Sequence, residues 1–435
     1  MRWLLIGLIL FLTASIVFGF DPGPAPGIKI KNAFLYLLVL GLVLRLTLDR
    51  SYRLQLNTVP VLFCIMIAYG VLSYLAIVLV IQYPRYDWLA SGLMLKNSLF
   101  DQMLFFLVFF YGLRTNEDAL TLLKVLLAAW AVAHIMAVLD ATGIMHVGDI
   151  EQRSDGRVQG AVGESNQYGA FVAMSLPAIV ALVTNTKGIW RLFWMGASVI
   201  TAATLLMTVS RGAFVATMVA TLGGVYLFRR YMPARKLAMW AVGGFVAAVF
   251  VAVIVTAVGF DDLIIHRLTQ GSGSDLTATS SGRTEIWGTV LGVMFRTPLT
   301  LLTGFGWEAY STFPFRWNTH NHYLLQFFNL GLIGLTCTVL LFIVVVRTAN
   351  KAATYARPDV RVVLISFGFA TIAVGTAVFF VNLFVPWIYY WSYAGICMRL
   401  AMNALEPQAY APAAVSAPAP RAKRARDPHG WTTAT

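Results

Sequence analysis

Charge is what this sequence has least of. Of 435 residues, 12% are Asp, Glu, Lys or Arg and 59% are hydrophobic, which leaves too few polar side chains to solvate the surface of a soluble protein. Cysteine is nearly absent. Cys64, Cys337 and Cys397 all fall inside apolar runs, so neither a disulfide framework nor a CxxC metal site is indicated. The sequence also has no Walker-type glycine loop, no HExxH zinc motif and no cysteine placed as an exposed nucleophile. The short alternating segments that would build a transmembrane β-barrel are missing too.

Apolar stretches of roughly 18–25 residues, long enough to cross a hydrocarbon core as helices, recur instead. Read between polar punctuation, they predict about twelve spans, near residues 3–20, 31–48, 58–81, 97–113, 120–141, 166–184, 190–208, 212–228, 237–259, 322–346, 361–381 and 385–403. The expected fold is an all-α polytopic membrane domain over 1–405. A tail rich in Ala, Pro and Arg follows over 406–435, with too little apolar surface to offset chain entropy. The opening stretch resembles a signal peptide, but no small-x-small cleavage site precedes Asp21, so it reads as a retained first span.

A net charge of +13 raises the question of a nucleic-acid partner. The placement of the charge answers it. Lys and Arg lie mostly in short loops between apolar runs, where they set orientation in a bilayer. One set of alternate loops carries Arg45, Arg50 and Arg53, then Arg114 and Lys124, Lys187 and Arg191, Arg229, Arg230, Arg235 and Lys236, and Arg347, Lys351, Arg357 and Arg361. These face the cytoplasm, and the tail with Arg421, Lys423, Arg424 and Arg426 joins them, so both termini are cytoplasmic. The remaining loops face outward, into the periplasm of a cell with an outer membrane: 21–30, 82–96, 142–165, the turn around Ser210, the long segment 260–320 and the turn at Asn382. Membrane lipids, not nucleic acid, are the expected surroundings.

The long outward loop has internal organisation. After a Gly/Ser/Thr-rich stretch, 271–282, the residues Ile286, Trp287, Val290, Val293 and Met294 recur at helical spacing, which predicts an interfacial amphipathic helix lying on the bundle. Pro298 is expected to end it, and Gly304-Phe305-Gly306 to turn the chain back toward the membrane. Loops of this length in compact proteins are often functional.

Four outward features carry candidate chemistry. In Ser210-Arg211-Gly212 an arginine sits at membrane depth, where it is costly unless paired, and its planar fork suits phosphate or carboxylate; a snorkelling anchor is the plain alternative. Arg283 precedes the amphipathic helix, where a solvated loop arginine is the ordinary explanation. His320-Asn321 stands before an apolar run, and a neutral imidazole at a wet interface can act as a general base. Capping or packing is the ordinary role of a lone histidine, and His322 two residues on leaves open which ring is reactive. Arg157 with Gly163-Glu164-Ser165-Asn166-Gln167 enters another span, where Asn166 suits a helix cap and Arg157 could add charge to an anion site. Nothing visible requires a metal or a cofactor.

The spacing His320-Asn321, nine residues, Gly331, two residues, Gly334 fits the His-(Asn/Ser/Gln)-x9-Gly-x2-(Gly/Thr/Tyr) pattern of O-antigen ligases. With Ser210-Arg211-Gly212, Gly282-Arg283 and the 298–306 turn ahead of it in that order, the chain resembles the O-antigen ligase and polymerase superfamily of bacterial membrane glycosyltransferases over about 150–345. The resemblance implies an inner-membrane enzyme of the GT-C type that takes a finished glycan from undecaprenyl diphosphate in the periplasm. It implies Arg211 and Arg283 as stabilisers of the leaving diphosphate and His320 as the base for the acceptor hydroxyl. Arg157, Asn166, Ser210, Asn321 and His322 would bind substrate, and transfer would be metal-independent. The acceptor is the lipid A core for a ligase, another lipid-linked repeat for a polymerase, or a protein Ser or Thr for an O-oligosaccharyltransferase; the motif spacing favours the ligase. A reading from another class is a polysaccharide transporter or flippase, for which ionisable residues belong near the bilayer midplane. Asp101, Lys124 and Asp140 lie near predicted span ends, and a modest boundary error would move them inward.

Overall fold

The computed structural model describes residues 1–20, 22–23, 29–48, 57–145, 156–233, 244, 246, 248–253, 255–257, 259–269, 282–315 and 318–409. The expectations for the Gly/Ser/Thr-rich stretch up to 281, for Arg50, Arg53, Arg235 and Lys236, and for the tail beyond 409 lie outside the described residues, and the span expected over 237–259 is described only in part.

Helices α1 (Arg2–Phe18), α2 (Ile30–Leu48), α3 (Thr58–Ile81), α4 (Trp88–Tyr111), α5 (Asn116–Ala141), α6 (Ser165–Asn185), α7 (Gly188–Met207) and α8 (Arg211–Tyr231) run in succession. The long loop then contains α9 (Asp261–Thr269), α10 (Arg283–Arg296) and α11 (Pro298–Thr303), and α12 (His322–Tyr355), α13 (Pro358–Ala377) and α14 (Pro386–Ala409) complete the bundle. Among the described residues nine helices, α2 to α8 with α12 and α13, are long and apolar enough to cross a membrane, and no β-strand occurs. The chain is an all-α polytopic membrane protein.

Local sequence sets the helix starts. Asn57, Asp87, Thr115, Ser210 and Asn321 each accept a hydrogen bond from a backbone N–H in the first turn of α3, α4, α5, α8 and α12, a contribution of about 1 kcal/mol per cap. Helix α13 lies at the centre of the C-terminal half, against α6, α8 and α12, while α14 packs on α4 and α5. Between them is an aromatic core that includes Trp130, Tyr168, Phe171 and Tyr393. His134 is buried there between Tyr168 Oη and Ser175 Oγ, at 3.1 and 2.7 Å, and this lone histidine on an apolar helix is satisfied by packing.

One sequence expectation needs correction and one is extended. The span expected over 97–113 begins at Trp88, because the polar residues that suggested a loop are satisfied inside the bundle. A π-helical turn, Lys96–Phe100, leads into Asp101. The Asp101 carboxylate, 1% exposed, accepts from Lys96 Nζ at 2.8 Å, Tyr36 Oη at 2.7 Å and Asn32 Nδ2. Asp101 is therefore not at a span end, and its charge is paired rather than open to a pathway. Second, Pro298 does more than stop α10. It is the first residue of α11, a position where its missing N–H leaves no hydrogen bond unmade.

The loop joins the bundle at a break in α12. Gly331 has φ +62 and ψ −156, non-helical values inside an otherwise continuous helix. Phe305 N and Gly306 N donate to Phe328 O and Asn329 O at 2.8 and 2.9 Å. Gly304, at φ +74, faces Gly331 so closely that a Cβ on either would overlap backbone of the other segment, Asn329 O for Gly304 and Leu302 O for Gly331. Gly331 of the sequence motif thus marks the dock for the Gly304-Phe305-Gly306 turn. Trp307 extends the dock toward the N-terminal spans, donating from N to Ser73 Oγ at 3.2 Å and from Nε1 to Ser91 O at 3.1 Å.

Gly331→Ala is expected to cost at least about 1–3 kcal/mol and to lower the melting temperature of the purified protein. Gly196→Ala, at a helical site with open space around it, should not. Equal melting of the two variants would contradict the dock.

Candidate active site

At the loop-bearing end of the bundle the chain forms a small recess, partly open to solvent, lined by Asn166, Ser210, Gly212, Arg283, Phe380 and Val381 among others. Asn166 is in the first turn of α6, Gly212 in the first turn of α8, and Arg283 is the first residue of α10. Each helix start carries the positive end of a macrodipole, and at α6 the first N–H groups are already taken up by Glu164. Gly212 permits this convergence, since a Cβ there would stand 2.6 Å from Phe380 Cβ.

The polar residues of the recess are tied together. Ser210 Oγ accepts from Ala213 N at 3.4 Å and donates to Asn166 Oδ1 at 3.1 Å. Arg157, 5% exposed, donates from Nη2 to the same Asn166 Oδ1 at 3.1 Å and from Nε to Thr208 O at 2.9 Å. Arg157 therefore braces the α7–α8 turn against the start of α6. The expectation that Asn166 caps α6 is corrected. Glu164 is the cap, accepting from Asn166 N at 3.1 Å and Gln167 N at 2.7 Å, and it also takes Asn166 Nδ2 at 2.7 Å, which turns Asn166 Oδ1 toward Ser210 and Arg157.

Arg211 stands between Ser210 and Gly212, both of which line the recess, at the first position of α8 and after Val209 at φ +46. His320 is half-buried at φ +46, in the left-handed region that a residue with a Cβ rarely adopts. Both of its neighbours are fixed. Thr319 O accepts from Trp287 Nε1 at 2.8 Å, and Asn321 Oδ1 caps α12 through Leu324 N at 3.0 Å. Trp287 is one turn beyond Arg283 on α10, so the same short helix carries the arginine and holds the histidine segment.

His322 points elsewhere. Its ring packs on Trp387 with centroids 5.3 Å apart, and it lines a separate crevice with Gln102, Gln326, Thr338 and Trp391. The structure thus groups Asn166, Ser210 and Arg283 on one recess, with Arg157 and Arg211 beside it and His320 tied to its frame, and sends His322 into the bundle. Among the described residues, no three His, Cys, Asp or Glu side chains come together in a way that could hold a metal ion.

Sequence reading missed Glu308. It lies at φ +56 beside the buried Trp307, where burial pushes its carboxyl up from the ordinary 4.5 to about 7. Only its place among aromatic residues of the returning loop hinted at this.

These features define a polytopic helical membrane protein with a polar recess built from helix starts and Arg283. Residues 196–339 match the family model described as O-antigen ligase. The match includes Ser210, Arg211, Arg283 and His320, and leaves out Arg157, Asn166 and the turn that follows α13. No curated protein matches the chain.

The shift at Glu308 sets a pH dependence. A carboxyl raised in the folded state contributes stability that is fully present below its unfolded pKa and is lost as pH rises through about 7. Between about pH 5 and pH 8 the wild-type melting temperature should fall by about 2–4 °C more than that of Glu308→Gln. Parallel melting curves against pH would count against the burial of this carboxyl.

Proposed function

We infer that the protein transfers a glycan from undecaprenyl diphosphate to an acceptor hydroxyl on the periplasmic side of the bacterial inner membrane, in the manner of an O-antigen ligase. The carrying observation is the recess where the starts of α6, α8 and α10 meet at Asn166, Gly212 and Arg283, formed in part by the segment that matches the ligase family model.

Breaking an anomeric bond to diphosphate leaves negative charge on the departing oxygens. Donors fixed in advance stabilise that charge without reorganising during reaction. Arg211 and Arg283 fill this role, assisted by the N–H groups at the start of α8. Neither step calls for a metal. His320 takes the proton of the attacking hydroxyl as the bond to the anomeric carbon forms and the bond to diphosphate breaks, a role open to an imidazole that is not already protonated. Arg157 orients Asn166 rather than meeting the diphosphate itself, since two of its donors are already engaged. Ser210 and Asn166 supply hydrogen bonds at the recess, Asn321 sets the start of α12, and His322 serves the bundle interior.

The basic residues support the orientation. Arg2 pairs with Asp118, Arg357 with Glu117, and Arg230 reaches Asn350 O, all at the end of the bundle opposite the recess. By the positive-inside rule that end is cytoplasmic and the recess periplasmic. A carrier would expose ionisable groups along a central path, whereas the buried Asp101 is engaged by Lys96.

His320→Ala and Arg211→Ala should each lower glycan transfer by about 10²-fold or more at normal membrane levels; wild-type transfer by either purified variant would remove that residue's role. Deleting the gene distinguishes the acceptors. Free lipid A core with accumulated polymeric lipid-linked glycan is the expected ligase result. Core carrying single repeats would indicate a polymerase, and normal lipopolysaccharide beside an unglycosylated protein would indicate an O-oligosaccharyltransferase.

A further inference from the structure

The turn 378–384 between α13 and α14 lies outside the segment matched to the ligase family, yet it meets both the recess and the segment that leads into His320. Val378 O accepts from His322 N at 2.8 Å. Phe380 and Val381 line the recess. Phe384 N donates to Gln167 Oε1 at 2.9 Å, next to Asn166. At the centre of the turn is Asn382, 3% exposed, whose Nδ2 donates to Asn318 Oδ1 at 2.6 Å and to Thr319 Oγ1 at 3.0 Å.

Thr319 immediately precedes His320. With its carbonyl held by Trp287 Nε1 and its hydroxyl held by Asn382, the residue is fixed from both sides. His320 itself occupies a left-handed conformation that persists only where the surroundings over-determine it. Removing the Asn382 amide takes away the tether from the α13–α14 turn, leaves Thr319 with Trp287 and its chain neighbours Asn318 and Asn321, and lets the His320 backbone relax. Asn382 does not line the recess, so its influence on chemistry passes through the 318–320 segment.

We propose that Asn382 is a positioning residue that sets His320 against the recess of Arg283, Ser210 and Asn166. The proposal rests on the functional reading above, with His320 as the base. A base held about 1 Å out of place can cost on the order of 10²-fold in rate, and the loss should fall on the chemical step rather than on donor binding.

Single-turnover transfer from a lipid-linked glycan donor, measured on the full-length protein in lipid nanodiscs, tests this. Asn382→Ala should reduce the rate constant on the order of 10²-fold while the donor concentration at half-maximal rate changes by less than about twofold. The double variant with His320→Ala should be no slower than His320→Ala alone, because the two residues act as one unit. Asn382→Asp can still accept from the Thr319 hydroxyl and from a turned Asn318 amide, and should recover at least about tenfold of the loss. Multiplying losses in the double variant, or wild-type rates in Asn382→Ala, overturn the proposal. A second readout needs no activity. Carbethoxylation of His320 by diethyl pyrocarbonate, followed by mass spectrometry, should be several-fold faster in Asn382→Ala, and an unchanged rate overturns the tether. Faster labelling beside a fully active His320→Ala variant supports the tether and places the failure in the functional reading.

Discussion

The structure depends on how α12 is interrupted. Backbone that leaves helical geometry inside a packed bundle must find its hydrogen bonds within the protein, and at Gly331 it finds them in the returning loop. Phe328 O and Asn329 O take Phe305 N and Gly306 N, at a separation that only two facing glycines allow. The end of the long loop is therefore built into the bundle rather than tethered to it. Trp307 on Ser73 and Ser91 fixes the same loop to α3 and α4, and Val290 and Met294 bury the apolar face of α10 against the cluster that includes Phe328 and Leu324.

That rigidity gives the recess its electrostatic character. A flexible arginine on a solvated loop would have to be ordered by its ligand, at a cost in side-chain entropy. Arg283 starts a helix whose other face is already buried, and Trp287 on that helix holds the carbonyl just ahead of His320. The group that would stabilise departing charge and the group that would accept a proton are thus linked through one short helix, while α8 brings Arg211 from another part of the chain.

Much of this was legible in the sequence, and the remainder was hidden for identifiable reasons. Of the twelve expected spans, nine correspond among the described residues to helices long and apolar enough to cross a membrane, and periodicity gave the amphipathic α10, because burial in a bilayer and on a bundle are dictated by local pattern. The His-Asn-x9-Gly-x2-Gly spacing falls within the segment that matches the ligase family model, but its physical meaning did not show, since the partner of Gly331 is Gly304, a contact between separate elements. The start of α4 was misplaced because Lys96 looked like a loop residue until Asp101, Asn32 and Tyr36 were seen around it. Asn166 looked like a cap, although Glu164 two residues earlier does that work. The two histidines were indistinguishable by spacing; only the fold separates His320, which follows the Thr319 carbonyl held by Trp287, from His322 against Trp387. Asn382 marked a turn, and nothing local signalled that its amide reaches Thr319.

The most direct test of this account is a cryo-EM structure of the protein in lipid nanodiscs with undecaprenyl diphosphate bound. The account predicts diphosphate density at the recess lined by Asn166, Ser210 and Gly212, within hydrogen-bonding reach of Arg211 and Arg283, with His320 beside the position of the bound diphosphate. Diphosphate bound at the opposite, arginine-rich end of the bundle, or at the buried Lys96–Asp101 pair, with the recess empty, would contradict it.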